Sequence, residues 1–229
     1  MAVKKIGLVG HFTGGNSFGI SKPYLFFWSR FGEVSLISPF ETEARDLDLL
    51  VLPGGRDVAH WRYLEDHENP HIFTGQPCME KERFDKMLLP LYMEKQTPIF
   101  ATCRGMQSLY VTLGGKLNQH MYHETNPESD GSKLMHSIKF ENTDIVPGLT
   151  ELIKTFKHKD DFKINSRHHQ TVDEDNKPGI VTILARHSED DEIEIATTFP
   201  HYPAHLTQHH VEDISDKASI YLIKHLLNL

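Results

Sequence analysis

Cysteine is scarce in this chain, and long hydrophobic runs are absent. Only Cys78 and Cys103 occur among the 229 residues, too few for a disulfide framework, so we expect a reducing compartment, the cytoplasm. No apolar run approaches the roughly 18 residues of a transmembrane helix. The short apolar stretch near the N-terminus is typical of a strand rather than of a secretory signal. The sequence therefore predicts a cytoplasmic protein with no membrane partner.

An excess of basic residues is also missing. Acidic residues outnumber lysine and arginine by 32 to 24, giving a formal charge of −8, and the basic residues are scattered. Nucleic-acid binding needs a concentrated basic face, so we expect no nucleic-acid partner. The chain also lacks internal repeats and linker-like tracts. We therefore expect a single domain over residues 1–229.

Apolar runs and helical patterns alternate along the first half of the chain. This alternation implies crossover connections and a parallel sheet. The predicted strands cover residues 5–10, 33–38, 48–52 and 97–102, and the predicted helices cover residues 23–31 and 79–95.

The second half is dominated by strand patterns, several of them joined as hairpins. A helix predicted at residues 215–227 closes the chain. We therefore predict an α/β three-layer sandwich whose central sheet is mostly parallel and mixed at its edge. The strands predicted here cover residues 134–140, 163–165, 180–186, 192–198 and 204–208, and a polar loop is predicted at residues 124–133.

The junction at Cys103 carries the main chemical signal. An apolar strand ends at this cysteine and a helical pattern begins directly after it. The small residues Ala101 and Gly105 lie two positions before and after it, as a tight nucleophile elbow requires. A helix N-terminus also favours the thiolate form of a cysteine. A buried cysteine that merely ends a core strand is the alternative, and the elbow alone leaves both open.

Four further segments make the pattern more specific. Together with the elbow they resemble class I glutamine amidotransferases, most closely the γ-glutamyl hydrolase branch of the peptidase C26 type. The resemblance implies a flavodoxin-like fold and an enzyme that hydrolyses a γ-glutamyl amide. The segments are Ala-Thr-Cys-Arg-Gly-Met-Gln at 101–107, Gly-Gly-Lys-Leu-Asn-Gln at 114–119, Leu-Pro-Gly-Gly-Arg-Asp-Val at 52–58, Ile-Asn-Ser-Arg-His-His-Gln at 164–170 and Gln-His-His-Val-Glu at 208–212.

The resemblance assigns a catalytic triad. It makes Cys103 the nucleophile, His210 the proton acceptor and Glu212 the carboxylate that orients the imidazole. This chain departs from the family pattern at Ala101, His209 and Val211, where glycine, tryptophan and proline are usual. The adjacent histidines leave the register open, and the acid two residues later favours His210. Without the resemblance, a surface histidine before a helix would be the simpler interpretation.

The same resemblance implies further site residues. The N–H groups of Gly55 and Arg104 would bind the oxyanion. Gln107 lies one helical turn after the cysteine and would contact the glutamyl group, although a helix-surface amide is the alternative. His169 would line the substrate pocket.

Sixteen histidines also raise the question of a metal site. The spacing of His205 and His209 matches a zinc motif, and His168, His169 and His210 could add ligands. No cysteine or carboxylate spacing supports such a site. We therefore expect neither a metal nor a cofactor.

Three functions fit these patterns. The first is a freestanding thiol hydrolase acting on a small γ-glutamyl substrate. The second is the glutaminase part of an amidotransferase that passes ammonia to a separate synthetase or ligase chain. The third is a non-catalytic binding module on the same scaffold, suggested by the altered residues around His210. Retention of cysteine, histidine and glutamate together favours the first two.

Overall fold

The strands and helices of the chain follow from a computed structural model that describes residues 3–14, 17–121 and 136–229. The polar loop predicted at residues 124–133 lies outside the described residues. The helices are α1 (Lys22–Trp28), α2 (Met79–Met87), α3 (Leu89–Glu94), α4 (Arg104–Thr112), α5 (Leu149–Lys154), α6 (Val211–Ile214) and α7 (Lys217–Leu227). The strands are β1 (Lys5–Val9), β2 (His11–Gly14), β3 (Ser17–Gly19), β4 (Glu33–Ile37), β5 (Leu49–Leu52), β6 (Ile99–Thr102), β7 (Leu117–Asn118), β8 (His136–Phe140), β9 (Lys163–Ile164), β10 (Thr171–Val172), β11 (Thr182–His187), β12 (Ile193–Thr197) and β13 (Ala204–Thr207).

The central sheet is parallel in one half and antiparallel in the other. In the described part of the chain it has nine strands in the order β4-β1-β5-β6-β13-β12-β11-β8-β9. The pairings from β4 to β13 are parallel, and those from β13 to β9 are antiparallel. The predicted α/β architecture with a mixed sheet is confirmed.

Alternating side chains on the central strands feed two separate cores. Leu50 and Leu52 of β5 face the core beneath α2, α3 and α4, whereas Leu49 and Val51 face the core beneath α1 and α7. All four are buried, as expected for a parallel strand covered on both faces. The helices therefore form the outer layers of a three-layer sandwich.

Two predicted helices differ in detail from the observed ones. The helix predicted at residues 79–95 is two helices, α2 and α3, because Pro90 lies in the first turn of α3 and cannot donate a backbone hydrogen bond. The closing helix begins at Lys217, where the Asp216 side chain accepts from the Ser219 N–H and caps it. Within the described ranges, no helix is long and apolar enough to cross a bilayer.

The chain places three strand ends side by side. Strands β5, β6 and β13 are neighbours and run parallel, with Leu52 beside Ala101 and Thr207 beside Thr102. Their carboxyl ends therefore meet at one edge of the sheet, where ligands of such folds bind. The segments that follow these strands begin at Pro53, Cys103 and Gln208.

Substituting Trp28 tests the core beneath α1. Its side chain is fully buried and its ring centroid lies 5.4 Å from that of Phe100 on β6. We expect Trp28→Ala to lower the free energy of unfolding by about 3–5 kcal/mol, because it opens a cavity. Phe26→Ala is the matched control on the same helix, since Phe26 is 68% exposed and should cost under about 0.5 kcal/mol. Denaturant titration of both variants measures this, and equal losses would contradict it.

Candidate active site

A strained backbone turn presents Cys103. The residue has φ 51° and ψ −115°, a conformation that side chains other than glycine rarely adopt, and it immediately precedes α4. Gly105 explains why the turn needs small neighbours. A Cβ atom at Gly105 would lie 2.0 Å from the Leu52 carbonyl oxygen, so only glycine lets α4 approach β5 this closely. These features are those of the predicted nucleophile elbow.

The end of β13 anchors this turn. The Cys103 N–H donates to the Thr207 carbonyl oxygen at 2.7 Å, which extends the β6–β13 pairing by one residue. The chain then continues from Thr207 through two residues to His210. Because the strands are in register, the cysteine and this histidine leave the sheet at the same edge.

His210 lies between a sulfur and a carboxylate. Its Nδ1 is 2.6 Å from Glu212 Oε1, and its ring is hydrogen-bonded to the Cys103 side chain. The Glu212 side chain is 2% exposed and that of His210 13%. The structure therefore brings the three predicted triad residues together.

The surroundings of His210 favour its charged form. Burial alone would lower its pKa, but the Cys103 sulfur and the Glu212 carboxylate outweigh this and raise it to about 10. An imidazolium stabilised in this way favours a thiolate–imidazolium pair over two neutral groups.

Asn165 holds the backbone of this histidine. Its Oδ1 accepts from the His210 N–H at 2.9 Å, and its Nδ2 donates to the His210 carbonyl oxygen at 3.4 Å. Asn165 belongs to the 164–170 segment, which the sequence analysis placed only in the substrate pocket. Part of that segment therefore positions His210.

Tyr24 is a residue of the site that the sequence analysis missed. Its hydroxyl accepts from the Gly54 N–H at 2.8 Å, lies 3.4 Å from His210 Nδ1 and interacts with Glu212. Burial, with the nearby Glu212 and Cys103, holds the pKa of Tyr24 well above its usual range, so it remains a neutral phenol. The available signal was a hydroxyl on the apolar face of α1, since a buried tyrosine hydroxyl needs a partner.

Gly54 and Gly55 occupy different surroundings. A Cβ atom at Gly54 would lie 2.8 Å from His210 Cε1 and 3.5 Å from Cys103 Cβ, so Gly54 lines the triad. A Cβ atom at Gly55 would instead lie 2.7 Å from Lys81 Nζ. In the described part of the chain the Gly55 N–H makes no hydrogen bond. Its role as an oxyanion donor remains a prediction.

Arg104 contributes its backbone and its side chain to different parts of the molecule. As the first residue of α4 it has an N–H with no acceptor inside the helix. Its guanidinium is buried against Glu82 Oε1 at 2.6 Å and Asp85 Oδ2 at 2.7 Å. Arg62 shares the same two carboxylates. This ion-pair network fixes the first turn of α4 behind the elbow.

The two predicted substrate-binding side chains have protein partners. The Gln107 Nε2 group donates to the Gln170 carbonyl oxygen at 2.7 Å and to Gln208 Oε1 at 3.3 Å. His169 Nε2 lies 3.1 Å from both carboxylate oxygens of Asp57, and this hydrogen bond raises the pKa of His169 above its usual value. Both side chains are therefore held in defined positions, and substrate contact remains a prediction for each.

The histidines considered for a metal site are dispersed. His205 Nε2 is 3.0 Å from His225 Nδ1, whereas His209 Nε2 is 2.8 Å from Asp216 Oδ2. Neither shares a ligand cluster with the other among the described residues. His209 is fully buried against α7, so the acid two residues after His210 identifies the correct register.

One group in the described ranges has donor atoms close enough for a metal. It comprises His210, Glu212 and Asp213, whose donor atoms lie within 4.8 Å of one another. Glu212 is already bonded to His210, and Asp213 is paired with Arg167. These donors therefore serve the triad and its surroundings.

The raised pKa of His210 predicts a pH dependence. Relative to an unfolded value near 6.5, the ion-pair contribution to stability is complete below pH 6.5 and is lost as the pH rises toward about 10. Nuclear magnetic resonance of the imidazole nitrogens should show His210 still protonated at pH 8. Glu212→Gln should lower its pKa because a neutral amide replaces the carboxylate.

His205 is the internal control for this titration. Burial lowers the pKa of His205 to about 3, so it should be neutral throughout the same range in both proteins. A wild-type His210 that titrates near 6.5 would contradict the electrostatic account.

Comparisons with known proteins agree with this arrangement. The Peptidase C26 family model matches residues 36–212. Protein NtpR of Enterococcus hirae is 31% identical over 132 residues, which are 56% of this chain and 52% of NtpR. The glutamine amidotransferase-like protein RP404 of Rickettsia prowazekii is 24% identical over 227 residues, covering 81% of this chain and 79% of RP404. The chain thus spans about half the length of NtpR but most of RP404.

A solved structure supports the fold. In the PurLQS structure from Thermotoga maritima, one chain aligns with a TM-score of 0.60 at 16% identity, covering 99% of each chain. This likeness confirms the predicted amidotransferase architecture. The family model covers more than half of the sequence, and it begins after α1, the helix that carries Tyr24. The chain therefore belongs to the Peptidase C26 family of glutamine amidotransferase-like proteins, a group whose chemistry is of the amidohydrolase type.

Proposed function

We propose that this chain is a cysteine hydrolase that cleaves the γ-glutamyl amide bond of glutamine or of a small γ-glutamyl amine. The observation that carries the proposal is the meeting of Cys103, His210 and Glu212 beside Gly54, at the carboxyl end of the parallel strands. An amide is a poor electrophile, so its cleavage needs a strong nucleophile, a proton for the departing amine and a site for the oxyanion. The arrangement can supply all three.

The first half of the reaction forms a thioester. The Cys103 sulfur attacks the γ-carbonyl carbon while His210 holds the proton from the thiol, and negative charge develops on the carbonyl oxygen. The N–H groups of Gly55 and Arg104 are the proposed donors to that oxygen. The carbon–nitrogen bond then breaks, and the amine leaves with the proton from His210. Glu212 stabilises the imidazolium throughout.

The second half releases glutamate. Water attacks the thioester carbon and His210 accepts its proton. The carbon–sulfur bond breaks, the proton returns to the sulfur, and glutamate departs. Gln107 and His169 are proposed to contact the glutamyl portion. Their own hydrogen bonds, to Gln170 and Asp57, would preorganise them for that contact.

The nucleophile is tested by comparing the two cysteines. We expect the wild type to release p-nitroaniline and glutamate from γ-glutamyl-p-nitroanilide, and Cys103→Ala to lower kcat by a factor on the order of 10³ or more. Cys78→Ala is the matched control, because Cys78 lies outside the triad with its thiol bonded to Glu80. Equal activity in Cys103→Ala and the wild type would contradict the mechanism. A wild type inactive on all γ-glutamyl compounds would instead favour a binding module.

A second candidate keeps the same site but changes the fate of ammonia. The aligned chain of PurLQS belongs to a synthetase complex and has nearly the same extent as this chain, which suggests a glutaminase subunit with a separate synthetase. A substrate panel on the isolated chain distinguishes the two. Rapid hydrolysis of γ-glutamyl amines without any partner supports the freestanding hydrolase. Slow hydrolysis confined to glutamine supports the subunit.

A further inference from the structure

Lys81 is a buried cation that the mechanism above does not use. It lies on α2, it is 2% exposed, and its Nζ donates to the Gly54 carbonyl oxygen. The loop packs directly on this amine, because a Cβ atom at Gly55 would lie 2.7 Å from Nζ. Fully buried lysines are rare and costly unless their polar atoms are satisfied. The Lys81 amine therefore has a defined contact on the loop beside the triad.

The nearby carboxylates do not explain why the lysine is there. Glu82 and Asp85 of the same helix pair with Arg104 and Arg62. No salt bridge to Lys81 occurs within the described residues. Burial and the neighbouring Arg104 lower the pKa of Lys81 to about 8, so the protein keeps the amine here at an energetic cost. The hydrogen bond to the loop carbonyl is the contact that offsets this cost.

The geometry of a peptide unit connects this contact to the site. In a trans peptide the C=O and the following N–H point in opposite directions. Within the described ranges the one cis peptide is Phe199–Pro200, so the unit between Gly54 and Gly55 is trans. Lys81 holds the carbonyl side of this unit, and the Gly55 N–H therefore points to the opposite side without a partner. The Gly54 N–H on the preceding unit is fixed by Tyr24.

We infer that Lys81 is a positioning residue of the oxyanion site: by binding the Gly54 carbonyl oxygen it directs the Gly55 N–H toward the carbonyl oxygen of the substrate. This inference rests on the proposed function and adds a residue to it. Glycine at position 55 is part of the same device, since a side chain there would displace the lysine amine. The ammonium itself does not touch the substrate.

Two reactions of Cys103 separate this role from an effect on the sulfur. Acylation by γ-glutamyl-p-nitroanilide builds negative charge on a carbonyl oxygen, whereas alkylation by iodoacetamide displaces iodide from a saturated carbon and builds none. We expect Lys81→Met to lower kcat for the anilide by about 10²- to 10³-fold with KM changed less than about twofold. The rate of Cys103 alkylation, followed by peptide mass spectrometry, should stay within about twofold of wild type.

Lys86→Met is the matched control, because Lys86 lies exposed on the same helix, and it should leave both reactions unchanged. Unchanged anilide turnover in Lys81→Met would overturn the inference, and so would a parallel loss of alkylation, since that would place the effect on the sulfur. If Lys81→Met does not fold, Gly55→Ala provides the second test. It should lower kcat while leaving alkylation intact, and wild-type turnover would overturn the inference.

A failure of the proposed function gives a different result. In that case the wild type itself would release no nitroaniline or glutamate. Wild-type turnover combined with an unaffected Lys81→Met variant would instead reject the role of Lys81 alone.

Discussion

The hydrogen bond from the Cys103 N–H to the Thr207 carbonyl oxygen is the contact on which the site depends. It continues the parallel pairing of β6 with β13 into the strained turn, and so fixes the sulfur relative to the segment that carries His210. Strand β5 adds Gly54 from the other side of β6. Three chain segments far apart in sequence meet because adjacent parallel strands end at one edge. The positive φ of Cys103 is tolerated because the packing of Gly105 against β5 leaves the turn no alternative.

Buried polar groups stabilise this arrangement at several levels. Asn165 holds the backbone of His210, Tyr24 connects the Gly54 N–H with the histidine–glutamate pair, and Lys81 holds the Gly54 carbonyl oxygen. Each of these groups is enclosed by protein, where hydrogen bonds are stronger than in water and misplacement is costly. A site preorganised in this way pays little reorganisation energy when charge develops on a substrate.

The sequence predicted the framework of the site because its signals were local. The small residues around Cys103, the strand–turn pattern and the acid two residues after His210 are all visible in short windows. The two-layer covering of the sheet followed from strands without polar positions. The break between α2 and α3 was missed, because the apolar spacing continues across Pro90 and masks the missing backbone donor.

The contributions of Tyr24 and Lys81 could not be predicted in this way. Both lie on helices, where one is part of an apolar face and the other is part of a charged stretch, and only tertiary packing brings them to Gly54. For the same reason the sequence could not show that Gly54, rather than Gly55, lies against the triad. Long-range contacts of this kind depend on the relative placement of layers, for which local patterns carry no information.

Formation of a covalent intermediate on the sulfur tests the central claim most directly. When the wild type turns over γ-glutamyl-p-nitroanilide and is quenched in acid, peptide mass spectrometry should find the Cys103 peptide heavier by one γ-glutamyl group. A burst of nitroaniline should precede the steady state if hydrolysis of that thioester is the slower step. Steady release of glutamate with no γ-glutamyl group on Cys103, or with the group on Cys78 instead, would contradict the account.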